Sequence, residues 1–418
     1  GFTRWHELFT KRQLAALTMF VALLEEVRNK LRHDVALADG FDLDTEEYVA
    51  AISTYLAFCI DKNCLTNCTQ ATWQKRPDRL TQAFGRQALP MIWDYAEANP
   101  LSDAGGGFAL TFKSIEEVLE KLPAGAPAGC VRQVDATVTP PFNDRPAIST
   151  DPPYYDNIAY ADLSDFFYIW LRRSLKGVFP QLLSTMLTPK SQEMVASSYR
   201  HGGDKTKAAS FFEDSLGRAI GTWREHGCSE IPATIFYAFK QAETTTEGTA
   251  STGWETFLAG VIRHGFAITG TWPMRTELTG NLKKQLAALA SSVVLACVPR
   301  DVNAAMATRR EFLNALKREL PDSMKKLQSG NIAPVDLAQA AIGPGMGVFS
   351  RYSKVVESDG EAMTVRAALT AINQVLDEVL AEQEGEFDGD TRWAVSWFET
   401  HGTQDGPFGE AEILGRAK

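Results

Sequence analysis

The chain has 418 residues, 44% apolar and 22% charged, which suits a soluble globular protein of two or three domains, or of one large domain with additions. No apolar stretch reaches the length of a membrane span and residues 1–12 are too polar for a secretory leader, so the expected compartment is the cytoplasm, with no membrane partner. The net charge of −10 argues against nucleic acid until it is located: residues 357–418 hold fourteen Asp/Glu and four Lys/Arg, leaving the first 356 residues formally neutral.

Taken in order, Gln13, Leu14, Leu17, Phe20, Val21 and Leu24 predict a long amphipathic helix with Thr10 as its N-cap. Asp44-Thr45-Glu46-Glu47 opens a second helix through Ile60, and Trp73 to Asn99 reads as mixed, with helical parts. Residues 1–104 are therefore expected to be mostly helical. Gly105-Gly106-Gly107 follows no apolar strand, so it reads as a flexible connection rather than a cofactor loop. A short helix, Ser114 to Leu122, comes next.

From Cys130 the period changes. Val131 to Thr137, residues 147–151 and Ile231 to Phe239 are candidate strands, the first ending in Asp135. Helices are expected from Asp162, from Lys205 to Glu225 and from Trp254 to His264, with Gly265 as a C-cap. Phe266 to Pro273 and Ser291 to Val298 follow as strands with no room for a crossover helix, so they form an antiparallel edge pair. The alternation predicts an α/β region over 105–300 with a largely parallel sheet. Residues 301–418 are expected to be helical and acidic, with segments at Glu311–Leu320, Val335–Ile342 and Val365–Gln383 and a tight loop through Gly343-Pro344-Gly345. The acidic run from Asp377 to Asp390 reads as a helix end and exposed loop.

Six cysteines lie at 59, 64, 68, 130, 228 and 297; Cys64 and Cys68 have no second pair at ligand spacing, so reduced thiols are expected and no metal site. Lys75, Arg76, Arg79 and Arg86, then Arg172, Arg173 and Lys176, then Lys283 and Lys284 are basic clusters that are credible phosphate contacts, though singly such a cluster is more often a solvated face. The chain has no initiator Met and stops mid-pattern, which reads as a piece of a longer protein.

The chemically pointed stretch is Asp151-Pro152-Pro153-Tyr154, between a short β-branched run and a helix whose Leu163, Phe166, Phe167, Trp170 and Leu171 share a face. A strand ending in a rigid loop is how an α/β sheet holds a reactive group at a strand's carboxyl end. An exocyclic base amine is a weak nucleophile because its lone pair is delocalised into the ring. The Asp151 carboxylate and the Pro152 carbonyl, each accepting one N–H, favour the pyramidal nitrogen and its developing positive charge. Pro152 and Pro153 fix φ and offer no competing donor. Tyr154 would stack on a base flipped out of the duplex, with Tyr155, Asp156 and Asn157 at the pocket rim. Tyr168, off the main apolar face, is expected to be exposed.

The motif resembles the catalytic loop of amino-directed DNA methyltransferases. The longer pattern is similar to the large bacterial and archaeal adenine-specific DNA methylases that carry a zinc-ribbon. The matching stretches include residues 9–14, Phe84 to Pro90, Asp151 to Leu175, Leu187 to Lys190, Trp272 to Glu277 and Val335 to Gly347. This resemblance implies a Rossmann-like methyltransferase sheet with helical additions at both ends. It also implies S-adenosyl-methionine as donor, adenine in DNA as substrate, and other subunits of a restriction or phage-defence system as partners. It assigns Asp135 and Ala136 to the acidic motif that contacts the adenine part of the donor. The glycine-rich strand-loop for the donor's methionine end and the zinc-ribbon are missing, so the first strands of the sheet are expected to be absent. The motif chemistry alone suits the cytosine amine equally. An RNA or protein amide methyltransferase and a non-catalytic DNA-binding piece are the competing readings.

Overall fold

The computed structural model describes residues 3–38, 40, 43–75, 79–84, 88–123, 125, 127–138, 145–155, 158–237, 252–275, 291–329, 334–384 and 389–416. The fold is mixed α/β. It divides into two compact units that interleave along the chain: Gly1–Gln133 with Ile158–Glu193, and Val134–Asn157 with Met194–Lys418. The expected 105–300 region is thus shared between both units.

The first unit is built on three helices: α1 (Lys11–Leu37), α2 (Thr45–Cys64) and α4 (Tyr160–Leu175), with α3 (Phe108–Leu119) beside α2. Thr10 caps α1 as its sequence predicts, its hydroxyl accepting from the Gln13 N–H while the Gln13 side chain accepts from the Thr10 N–H. Leu17, Leu24, Ala57, Ile60, Phe166 and Trp170 close the core, and Phe9 stacks on Phe166 with ring centroids 5.8 Å apart. Tyr168 departs from expectation: it is buried, and its hydroxyl donates to the Thr185 carbonyl at 3.0 Å. The cause is a second cover on α4, the returning segment 183–190. Its Thr188 N–H and Lys190 ammonium bind the two oxygens of buried Asp165 at 2.9 and 2.7 Å.

No helix forms among the described residues of 73–99. A short ribbon stands there instead, β1 (Trp73–Gln74) antiparallel to β2 (Arg79–Leu80), fixed by β-branched Thr72 and Thr81 bonding across it. The triple glycine is a tight turn rather than a loose link. Gly106 takes φ +88° and its carbonyl accepts from the side-chain amides of Asn63 and Asn67 at 3.0 and 2.8 Å.

The second unit carries a four-stranded sheet, β3 (Ser149–Thr150), β4 (Ala233–Tyr237), β5 (Phe266–Arg275) and β6 (Ser291–Pro299), ordered β3-β4-β6-β5. The helix α5 (Lys205–His226) crosses between β3 and β4, which are parallel, and α6 (Thr252–Arg263) precedes β5. β6 is antiparallel to both β4 and β5. The antiparallel pair β5–β6 matches the sequence reading, but the largely parallel ladder does not. β3, β4 and β5 run one way, yet β6 inserts between β4 and β5, so direct parallel pairing survives only between β3 and β4. β6 is buried from Val293 to Cys297, as a central strand covered on both faces must be.

A layer of helices covers this sheet. It comprises α7 (Arg309–Ser329), α8 (Pro334–Ser350) and α9 (Val365–Glu384), with the short parallel pair β7 (Met306–Thr308) and β8 (Lys354–Val356). Two further helices, α10 (Gly389–His401) and α11 (Phe408–Arg416), end the chain; residues 385–388 of the acidic run lie outside the described residues. The expected loop through Gly343-Pro344-Gly345 is instead the interior of α8. Pro344 has no N–H to give the Ala340 carbonyl, and the Thr271 hydroxyl of β5 supplies that bond at 3.0 Å. Such an approach needs bare backbone: a Cβ on Gly343 would sit 1.8 Å from Thr271 Oγ1.

Gly343→Ala is expected to destabilise the protein by about 3 kcal/mol through overpacking, and Thr271→Val by about 1–3 kcal/mol by orphaning a buried carbonyl. Gly415→Ala, facing open space on α11, serves as the control in denaturant titrations and is expected to be neutral or slightly stabilising.

A second prediction concerns Asp61 on α2, whose Oδ1 is buried with no hydrogen-bond partner among the described residues and whose carboxyl burial pushes up to about 8. The folded chain therefore keeps a proton that the unfolded chain releases near pH 4, and stability falls as pH rises through the window from about 4 to about 8. Asp61→Asn should gain on the wild type by up to about 1.4 kcal/mol per pH unit across that window. A stability difference that stays flat with pH in thermal melts would refute the assignment.

Candidate active site

The entry to β3 is fixed before the motif begins. The Cys228 N–H donates to the Pro146 carbonyl at 2.9 Å and the Thr234 N–H to the Ile148 carbonyl at 2.9 Å. Ile148 lies against Gly227 at the end of α5, where a Cβ would meet it at 2.9 Å. β3 then pairs with β4 through Ser149–Thr234 and Thr150–Ile235, and the chain leaves the sheet at Asp151. Asp151 thus stands at the carboxyl end of a strand whose parallel neighbour is joined to it through α5, the location where open α/β sheets bind ligands.

Asp151 is exposed, Pro152 is buried, and Pro153 and Tyr154 are half-buried. The Tyr154 hydroxyl donates to Asp151 Oδ1 at 2.7 Å. Its ring meets Tyr237, the last residue of β4, edge-to-face at 5.2 Å. Tyr237 is itself stacked on Phe257 at 4.6 Å and lies 5.3 Å from Trp254, both on α6. Burial pushes the Tyr237 phenol well above its ordinary range, so this ring stays neutral. The loop therefore rests on an aromatic stack rooted in the core.

Tyr155 has φ +43°, a left-handed backbone uncommon for a bulky residue. Two contacts hold it there: its carbonyl accepts from the Ala196 N–H at 2.9 Å, and its ring packs edge-on against Phe212 of α5 at 5.1 Å. Asp156 and Asn157 lie outside the described residues. Tyr237, Phe212 and Ala196 were not singled out by the sequence as supports. An aromatic side chain ending the strand after the crossover was the available signal for Tyr237, while nothing local marks Ala196.

The helix beginning at Tyr160 belongs to the first unit and buries its face there, so the helix that buttresses β3 is α5, not the one directly after the motif. Asp135 is also placed differently. Residues 131–135 form no strand among the described residues, and Val131 is 98% exposed. Asp135 instead opens a turn through Ala136: Oδ1 accepts from the Thr137 N–H and hydroxyl, both at 2.8 Å. The Thr137 N–H chiefly, with its hydroxyl and nearby Arg218, holds this carboxyl below the usual range. A local side-chain bond has taken the place of strand pairing.

Among the described residues, Asp135 and Ala136 are not set as a seat for S-adenosyl-methionine. One Asp135 oxygen is committed to Thr137 away from any strand end, and among the described residues no glycine-rich turn directly follows a strand. Nor do three His, Cys, Asp or Glu side chains converge as metal ligands among the described residues. The cysteines are free, four of them buried. Of the basic clusters, Lys75, Arg79, Arg173 and Lys176 are exposed and Arg172 half-buried; Arg76, Arg86, Lys283 and Lys284 lie outside the described residues.

Tyr237→Leu is expected to cost about 2 kcal/mol of stability, by lost aromatic packing, and to loosen Tyr154. Denaturant unfolding would check the first, and faster hydrogen exchange across residues 151–155 the second.

No helix among the described residues is long and apolar enough to cross a membrane. Residues 388–418, which contain α10 and α11, match a domain family of unknown function, DUF8807. No curated protein and no solved structure matches the chain.

Proposed function

We propose that this chain carries the base-accepting side of an S-adenosyl-methionine-dependent DNA methyltransferase that modifies the exocyclic amine of adenine. The observation that carries this reading is the placement of Asp151-Pro152-Pro153-Tyr154 at the carboxyl end of β3, beside parallel β4, with the carboxylate open to solvent. The strand order supports one half of a Rossmann-like sheet, since doubly wound sheets commonly include an antiparallel strand.

In this reading Asp151 accepts one N–H of the flipped base and the Pro152 carbonyl accepts the other. Both acceptors sit on backbone that the two prolines stiffen. The Tyr154 hydroxyl now on Asp151 marks the direction from which a donor group reaches that oxygen. The methyl donor enters through the motif's chemistry and resemblance, not through a seat in the described residues. DNA is the macromolecular partner, with other subunits of a restriction or phage-defence system.

Incubation with duplex DNA and labelled donor, followed by nucleoside analysis, tests the proposal. The expected product is N6-methyladenine, and Asp151→Ala should lower transfer by at least about 100-fold with the fold intact. Undiminished transfer by that variant would remove Asp151 from the site. Methylated cytosine amine would move the substrate, and methylated glutamine peptides with unmodified DNA would end the DNA reading. DNA binding without any transfer would leave a non-catalytic binding protein.

A further inference from the structure

We infer that the Tyr154 hydroxyl occupies the substrate's place on Asp151, so that Tyr154 is a side-chain gate which an incoming base must displace. The inference rests on the proposed reading of the Asp151–Tyr154 loop as a base-accepting site. The hydroxyl donates to Asp151 Oδ1 at 2.7 Å, and among the described residues no other donor binds that exposed carboxylate. Hydroxyl and base amine compete for one group, because both are donors and a carboxylate only accepts. In the empty site the loop supplies the contact that the base would make.

Geometry makes the two contacts alternatives. A phenolic O–H lies near the plane of its ring, so a well-aligned bond brings Asp151 Oδ1 to the ring edge-on. An exocyclic amine likewise points its N–H bonds along the plane of its base. If the Tyr154 ring stacks on that base, the two planes lie about 3.5 Å apart. The two oxygens of one carboxylate are only about 2.2 Å apart, given C–O bonds of about 1.25 Å. One carboxylate does not reach both planes, and the ring that stacks must first give up its bond.

The surroundings confine the movement to one side chain. Pro152 and Pro153 fix φ ahead of Tyr154. Behind it, Tyr155 is held at φ +43° by the Ala196 N–H on its carbonyl at 2.9 Å and by Phe212 against its ring at 5.1 Å. Tyr237 is buried and stacked on Phe257 at 4.6 Å, so it gives the Tyr154 ring a fixed wall at 5.2 Å. Tyr154 itself is half-buried, and turning about its side-chain bonds carries the hydroxyl off Asp151 while the backbone stays in place. A base that brings an N–H restores the bond it displaces, and one without an N–H does not.

Ligand-observed NMR titration of the 418-residue protein with 2′-deoxyadenosine tests the gate, using wild type, Tyr154→Phe, Asp151→Ala and the double variant. Tyr154→Phe keeps the ring and loses the hydroxyl, so it should bind about fivefold more tightly than wild type while still melting cooperatively. In the Asp151→Ala background the same change should alter affinity by less than about twofold, because the bond it removes is already gone. Unchanged or weaker binding by Tyr154→Phe would overturn the inference, weaker binding pointing to a hydroxyl that orients the carboxylate. An equal gain in both backgrounds would also overturn it, as would no detectable binding of the nucleoside by wild type and Tyr154→Phe. Purine 2′-deoxyriboside, which lacks the amine, keeps the gate apart from the proposed function. Equal affinity of wild type for the two nucleosides would remove the amine contact on Asp151, whereas the sign of the Tyr154→Phe effect still decides the gate.

Discussion

A single hydroxyl sets how the second unit closes. Pro344 inside α8 leaves the Ala340 carbonyl without its helical partner, and Thr271 of β5 fills the vacancy. The bond forms because Gly343 lets the strand reach the helix backbone. Gly345 and Gly347 extend the same close contact, to Ile372 of α9 and to the Ile268 carbonyl of β5. At the far end of α8 the Ser350 hydroxyl accepts from the Ile268 N–H at 2.9 Å, beside the register shift between Ile268 and Gly270. The strand is thus held to the helix at two points, and the glycines that look like loop punctuation are packing residues.

That clamp reaches the candidate site through the sheet. β5 pairs with β6, β6 with β4, and β4 with the two-residue strand that leads into Asp151. A strand of two residues cannot hold a loop by its own ladder. Its support comes from the ends of α5, from Tyr237 under Tyr154, and from Phe212 and Ala196 around the left-handed Tyr155. Pro152 and Pro153 stiffen the loop, and its one left-handed residue, Tyr155, is held from two sides.

Two buried carboxyls of the first unit follow different rules. Asp165 is enclosed with Thr188 and Lys190, so its charge is paired and hydrogen-bonded. Asp61 is enclosed with no such partner on Oδ1, and its carboxyl holds its proton instead. The difference lies in the segment 183–190, which returns over α4 with donors, whereas among the described residues no comparable donor meets Asp61 Oδ1.

Much of the fold was legible in the residues themselves. Helix α1 and its cap, α5, α6 with Gly265 behind it, α9 and the antiparallel β5–β6 pair all rest on local periodicity and end signals, which act within a few residues. The motif was legible too, because two adjacent prolines after an acid are conspicuous in any context. What the sequence could not decide was pairing. Val131 to Asp135 has strand composition but no partner among the described residues, and Asp135 turned to Thr137. Gly343-Pro344-Gly345 has loop composition, yet a hydroxyl 73 positions before Pro344 makes a helix of it. Tyr168 lies off the apolar stripe, yet a returning segment buries it. The sequence by itself therefore determined the helices that carry strong local periodicity and end signals, and it singled out the Asp151–Tyr154 motif. Tertiary structure alone decided which carbonyls find donors and which strands find neighbours, because those partners lie far apart along the chain and carry no local signature.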